Sequence, residues 1–230
     1  MSEPSDREER RAFLSHLGLG AAALGVGLAT VRPAEAQTTV FKPQRHEQDA
    51  WMDAPRGGHR IVIDSAFPSG GGAALLYANN NFLANKSGYG LETDDIGIIV
   101  VFRHLSTPFA YSDAIWEKYG AVFSETIDFK DPKTNAAPVS NLYNAAAPGV
   151  SLSNRGVTIP SLVAKNVQFA VCGSATRFMA NAIAQKTKGD AGATFDELTG
   201  NLIPNSHLVP AGVVAVNRAQ EYGYTLLTAM

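Results

Sequence analysis

Cysteine is almost missing from this chain: Cys172 is one residue in 230. A single cysteine excludes an intrachain disulfide and every zinc or iron–sulfur site built on several thiolates of one chain. Charge of one sign is missing too. Nineteen Lys and Arg against 21 Asp and Glu leave a formal net charge of −2. That balance gives no electrostatic case for binding nucleic acid or an anionic membrane. Long apolar runs are absent as well. The one candidate, residues 17–31, carries Gly18, Gly20, Gly25 and Gly27 and falls short of the roughly 20 apolar residues of a spanning helix. No G-x-S-x-G elbow, G-x-G-x-x-G fingerprint or Walker loop occurs, and no acidic residue after a second strand is placed for a ribose. A catalytic serine triad and a nicotinamide cofactor are therefore disfavoured.

The residues present divide the chain into three parts. Arg10-Arg11-Ala12-Phe13-Leu14 opens a weakly apolar stretch that ends in Arg32 and then Ala34-Glu35-Ala36. This order of twin arginines, apolar region and small-x-small site resembles a twin-arginine (Tat) export signal spanning 1–36. Cleavage after Ala36 implies a folded, exported, periplasmic protein with no stable membrane insertion. Residues 37–58 hold Pro43, Pro55 and Gly57-Gly58 and read as an extended arm or linker. Residues 59–230 form the domain. The hydrophobic fraction of 45% is enough for one core.

Within the domain, apolar β-branched runs at 60–67, 95–102, 167–171, 206–210 and 224–227 predict strands. Helical patterns occupy 73–86, 112–119, 160–165, 175–186, 195–200 and 212–221, and 122–129 is ambiguous. Strands separated by helical segments predict an α/β fold, a three-layer sandwich on a mostly parallel sheet of about five strands. Residues 131–158 are rich in Pro, Asn, Ala and Ser without periodicity. They read as a functional lid or an insertion packed on a partner.

Ligands of open parallel sheets bind beyond the carboxyl ends of the strands. The residues following each predicted strand are thus the candidates: Asp64, Ser65 and Gly70-Gly71-Gly72; Arg103, His104 and Ser106; Cys172, Gly173, Ser174 and Arg177; Pro210 and Gly212. Cys172 sits at a strand-to-helix junction, where helix N–H groups favour a thiolate. The competing reading is a small apolar residue filling a strand end. Gly71 and Gly72 read as an anion cradle of backbone N–H groups or as a plain turn. His104 reads as an acid/base or as a structural, hydrogen-bonded histidine. His59 and His207 precede strands, at the opposite end of a parallel sheet from Cys172. Asn79-Asn80-Asn81 offers amides to a neighbouring loop or to solvent. Phe109, Tyr111, Trp116 and Tyr119 wall a pocket, form an oligomer contact or pack a core.

The stretch Lys165-Asn166-Val167-Gln168-Phe169-Ala170-Val171-Cys172-Gly173 resembles the strand ending in Cys of DsrE/DsrF-like (YchN-like) sulfur-metabolism proteins. Residues 208–224, running from Leu208-Val209-Pro210-Ala211-Gly212 to Tyr222-Gly223-Tyr224, are similar to that family's closing strand–Gly–helix–Gly-Tyr pattern. The resemblance covers about 59–227. It implies a compact α/β sandwich assembled as a homo-oligomer, a trimer or hexamer, in which the cysteine corresponding to Cys172 accepts sulfur as a persulfide. That chemistry needs no metal and no cofactor. The sequence-based expectation is then an exported sulfur-handling protein that exchanges small sulfur species or works with a sulfur-carrier protein. Cys172 is the nucleophile and His104 moves a proton. Arg103 and Arg177 steer an anionic sulfur species, and Asp64, Gly71, Gly72, Gly173 and Ser174 line the site. The alternative on the same rim is a non-catalytic periplasmic module that binds a small molecule or a partner. A metal held by His104 and Cys172 across subunits is a third reading.

Overall fold

The computed structural model describes residues 42–230, so the export-signal reading of 1–36 and the start of the arm lie outside the described residues. Strands β1 (His59–Ser65), β2 (Ile96–Phe102), β3 (Gln168–Cys172), β4 (Ser206–Val209) and β5 (Thr225–Ala229) form one sheet. Its order is β4-β3-β2-β1-β5 and every pair is parallel. Helices α1 (Pro68–Tyr89), α2 (Asp113–Ile127), α3 (Ile159–Val163), α4 (Gly173–Thr187), α5 (Ala191–Thr199) and α6 (Gly212–Glu221) connect them. The protein is a three-layer α/β fold, as the alternation of patterns predicts.

The strand order explains how the helices divide. From β1 to β4 the chain steps across the sheet in one direction, and right-handed crossovers then lay α1 to α5 on one face. The step from β4 to β5 returns across the sheet, so α6 lies on the other. Alternate strand residues follow the same division. Ile63, Ile98, Val100, Phe102, Phe169 and Val171 pack under the large helical layer. Val62, Ile99, Val101 and Ala170 meet α6 through Ala215 and Ala219.

One helix does not cover five strands, and the segment read as an extended arm makes up part of the deficit. Glu47–Asp53 is a 3-10 helix with Asp49 and Met52 buried. The Tyr224 hydroxyl donates to Met52 O at 2.6 Å. Trp51 stacks on His207 with centroids 4.2 Å apart, and Arg45 lies 3.5 Å from the Tyr222 ring centroid. Part of the arm is therefore a folded cover for the second face.

Further expectations are refined. Helix α1 begins at Pro68, five residues before the sequence pattern starts, so Gly70-Gly71-Gly72 is helical rather than a loop. Proline is tolerated in a first turn because its missing N–H would have no helical partner there. The helix runs through Gly88 and ends at Gly90, in the left-handed conformation at φ 69°. Helix α2 continues to Ile127 and absorbs most of the ambiguous 122–129. The 131–158 loop, read as a lid or an insertion packed on a partner, packs on its own domain. Buried Tyr143 donates to Pro68 O at 2.7 Å, and Asn141 Nδ2 donates to Phe109 O and Tyr111 O. The loop thus buries the first turns of α1. Phe109, Tyr111, Trp116 and Tyr119 are buried with Phe123 and Phe129 in the main core, so they wall no pocket.

Candidate functional site

Asp64 and Arg103 come together because β1 and β2 are neighbours in register, Ser65 opposite Phe102. Arg103, one residue past β2, reaches back to Asp64. Its Nε donates to Oδ1 at 2.7 Å and its Nη2 to Oδ2 at 2.8 Å. Asp64 is 7% exposed. The hydrogen bond to Asp64 holds the Arg103 guanidinium above its ordinary range, against the opposing effect of burial. A serine pair anchors the turn below: Ser106 Oγ accepts from Arg103 N at 3.1 Å, and Ser65 Oγ donates to Val101 O at 2.7 Å. His104 follows at φ 53°, a left-handed backbone, and its exposed ring meets Phe67 edge to face at 5.6 Å.

Cys172 ends β3 and is the N-cap of α4. Its Sγ accepts the Ala175 N–H at 3.4 Å. Thr176 Oγ1 donates to the Cys172 carbonyl, and the Tyr111 hydroxyl donates to Thr176 Oγ1, both at 3.0 Å. Burial drives the Tyr111 phenol above its ordinary range, so this support stays neutral. The thiol is 6% exposed and lines a cleft of about 400 Å³. Arg103, His104 and Ser174 share that cleft with Leu105, Phe178 and Val213. Gly212 brings the β4–α6 turn against the stem of Arg103, which a Cβ there would strike.

The cleft is mostly apolar, and its polar groups are largely committed. Ser174 N and Oγ both donate to Pro210 O, at 3.2 and 3.0 Å. Ala175 N is taken by the sulfur and two arms of Arg103 by Asp64. What remains is a thiol at a helix start, flanked by an imidazole and an ion-paired guanidinium.

Several sequence candidates lie elsewhere. Arg177 does not line this cleft. Its guanidinium lies 4.5 Å from the Phe195 ring centroid, on the side of α4 that faces α5. Gly71 and Gly72 are buried in α1, where added methyls would meet Phe109 and Ser106, or Ser153 and Tyr143. They serve helix packing and offer no anion cradle. Gly173 is buried with its Cα side against Val209 O. His207 stands within β4 on the second face. Gln168 Nε2 donates to Asn166, so Gln168 Oε1 must accept from His207 Nε2 at 2.9 Å. Asn79 accepts from Lys165 at 2.8 Å, a contact with a neighbouring loop. Among the described residues no group of three His, Cys, Asp or Glu is placed to hold a metal, and no helix is long and apolar enough to cross a membrane.

Two features escaped the sequence. The Asp64–Arg103 pair joins two strand ends 39 positions apart, a contact that no local pattern reports. The apolar rim of Phe67, Phe178 and Val213, each more than half exposed, had no signal beyond three apolar residues near predicted turns.

No family model matches the chain, and no curated protein matches it. Among solved structures, it is similar to a protein of unknown function from Methanobacterium thermoautotrophicum. Identity is 14%, the TM-score 0.37, and the match covers 74% of this chain and 98% of the other.

Proposed function

We propose that this chain handles sulfur through Cys172, accepting it as a persulfide and passing it on. The observation that carries the reading is the position of the thiol. It caps α4, takes an N–H from the first turn, and lines a cleft with His104 and Arg103. The thiolate is the form that attacks sulfur, and the Ala175 N–H stands at 3.4 Å to hydrogen-bond it. In the proposed step the Cys172 thiolate attacks the outer sulfur of a donor persulfide R–S–SH. A Cys172 S–S bond forms, the donor S–S bond breaks, and R–S⁻ leaves with the electron pair. No net oxidation occurs. His104 takes the thiol proton beforehand. On this reading the chain belongs with the DsrE-like sulfur proteins, leaves the cytoplasm folded through its twin-arginine signal, and works in the periplasm as a homotrimer or hexamer.

Exposure of the exported protein to a small-molecule persulfide should add about 32 Da at Cys172. The gain should vanish in Cys172→Ser. A thiol that stays unmodified by the donor and closed to alkylation in the native protein overturns the reading.

The apolar walls favour a second reading. With Arg103 committed to Asp64, the cleft has little net charge to attract an inorganic anion, and Leu105, Phe178 and Val213 suit an uncharged ligand or an apolar partner surface. A binding module of this kind would carry its ligand through purification from the native host, where native mass spectrometry detects it, and Cys172→Ser would keep it.

A further inference from the structure

A second cleft, of about 310 Å³, lies between the Glu47–Asp53 turn, β4 and helices α4 and α5, and shares no lining residue with the Cys172 cleft. It holds two opposite charges that the chain does not pair with each other. Asp49 lines it and is 6% exposed. Among the described residues its carboxylate accepts no hydrogen bond. Arg218 Nε stands 3.8 Å from Oδ2, beyond hydrogen-bonding distance, while Arg218 Nη1 donates to Glu221 at 2.8 Å. Asp49 thus has Arg218 as a long-range counter-ion and no direct hydrogen-bond donor among the described residues. Arg177 lines the same cleft, its guanidinium over Phe195, and no described carboxylate lies within 4.0 Å of it. Stacking on the ring leaves the planar fork of donors oriented for a carboxylate.

We propose that this cleft binds a small zwitterion of the free α-amino-acid type, with its ammonium on Asp49 and its carboxylate on Arg177. A ligand with an anionic group alone would set that charge against Asp49. A ligand with a cationic group alone would set it against Arg177. The zwitterion satisfies both. Leu208 and Phe195 line the remainder, so an apolar side chain should bind better than the hydrogen of glycine.

Calorimetric titration of the exported protein with the common free amino acids tests this, each compared with its N-acetyl and methyl-ester forms. At least one apolar amino acid should bind saturably, and removal of either charge should weaken it at least about tenfold. Arg177→Gln should weaken it equally. Because Arg177 is exposed, that variant should fold even if Asp49→Asn does not. The absence of saturable binding by any amino acid up to about 10 mM overturns the proposal. So does equal binding of the acetylated or esterified forms, or wild-type affinity in Arg177→Gln. None of these readouts involves Cys172.

Discussion

Arg103 and Asp64 are the ion pair at the mouth of the Cys172 cleft, and their chemistry is mutual. A buried carboxylate deprived of its partner costs far more than the pair contributes in total, because the remaining charge keeps its desolvation penalty. Arg103→Met should therefore destabilise the fold by about 3 kcal/mol, read as a lower urea midpoint at unchanged slope. Asp64→Asn should cost less, since the Arg103 side chain is 27% exposed and can take up water. The double variant Asp64→Asn/Arg103→Met should be more stable than Arg103→Met alone. Additive losses in the double variant would mean that the two residues act separately. Residue types near the site were legible, because strand ends gather there in any parallel sheet. Their partners were not. Arg177 and Phe178 are adjacent in sequence, yet the 100° step of the helix sends one to the Asp49 cleft and the other to the Cys172 cleft.

At the scale of elements, α1 shows how one residue type serves opposite ends. Gly72 lies where a Cβ would press on Tyr143, Ser153 and the Asn154 backbone. Gly88, in the same helix, has nothing within 4 Å of that position. Gly72→Ala should cost about 1–3 kcal/mol by overpacking, despite alanine's better helix propensity. Gly88→Ala should stabilise by about 0.5–1 kcal/mol, since only the unfolded chain loses freedom. Thermal unfolding of the two variants checks the pair. A neutral Gly72→Ala would show that the 131–158 loop yields freely. The same contrast explains a misread boundary. Pro68 and three glycines look like a break when judged locally, and they are a helix start because the loop closes over them. Tyr143, 75 positions from Pro68, supplies that contact, and no local pattern reports it.

At the scale of the molecule, the unequal faces of the sheet matter most. The second face depends on α6 and on Glu47–Asp53, and Trp51 on His207 helps to hold that segment in place. Burial keeps His207 below its ordinary range, so the folded protein prefers the neutral ring. The unfolded chain then binds the proton more readily as pH falls below about 6.5, and folding stability declines. Above that range this contribution is fully present. Urea midpoints measured from pH 8 to pH 5 should fall, and the fall should be smaller in His207→Gln. Trp51→Ala, which uncovers the ring, should flatten the same profile and lower the stability at pH 8. A pH dependence identical in all three proteins would remove His207 as its cause.

The sequence by itself determined the fold class, the sequence order of the five strands, and the collection of Cys172, Arg103, His104 and Asp64 at one end of the sheet. Those follow from local periodicity and from the rule that parallel strands share an end. Tertiary structure alone decided that Asp64 claims Arg103, that Arg177 turns to a different cleft, that the aromatic cluster is core, and that the supposed arm covers the sheet. Each of these is a contact between residues far apart in the chain, set by which groups must be removed from water together.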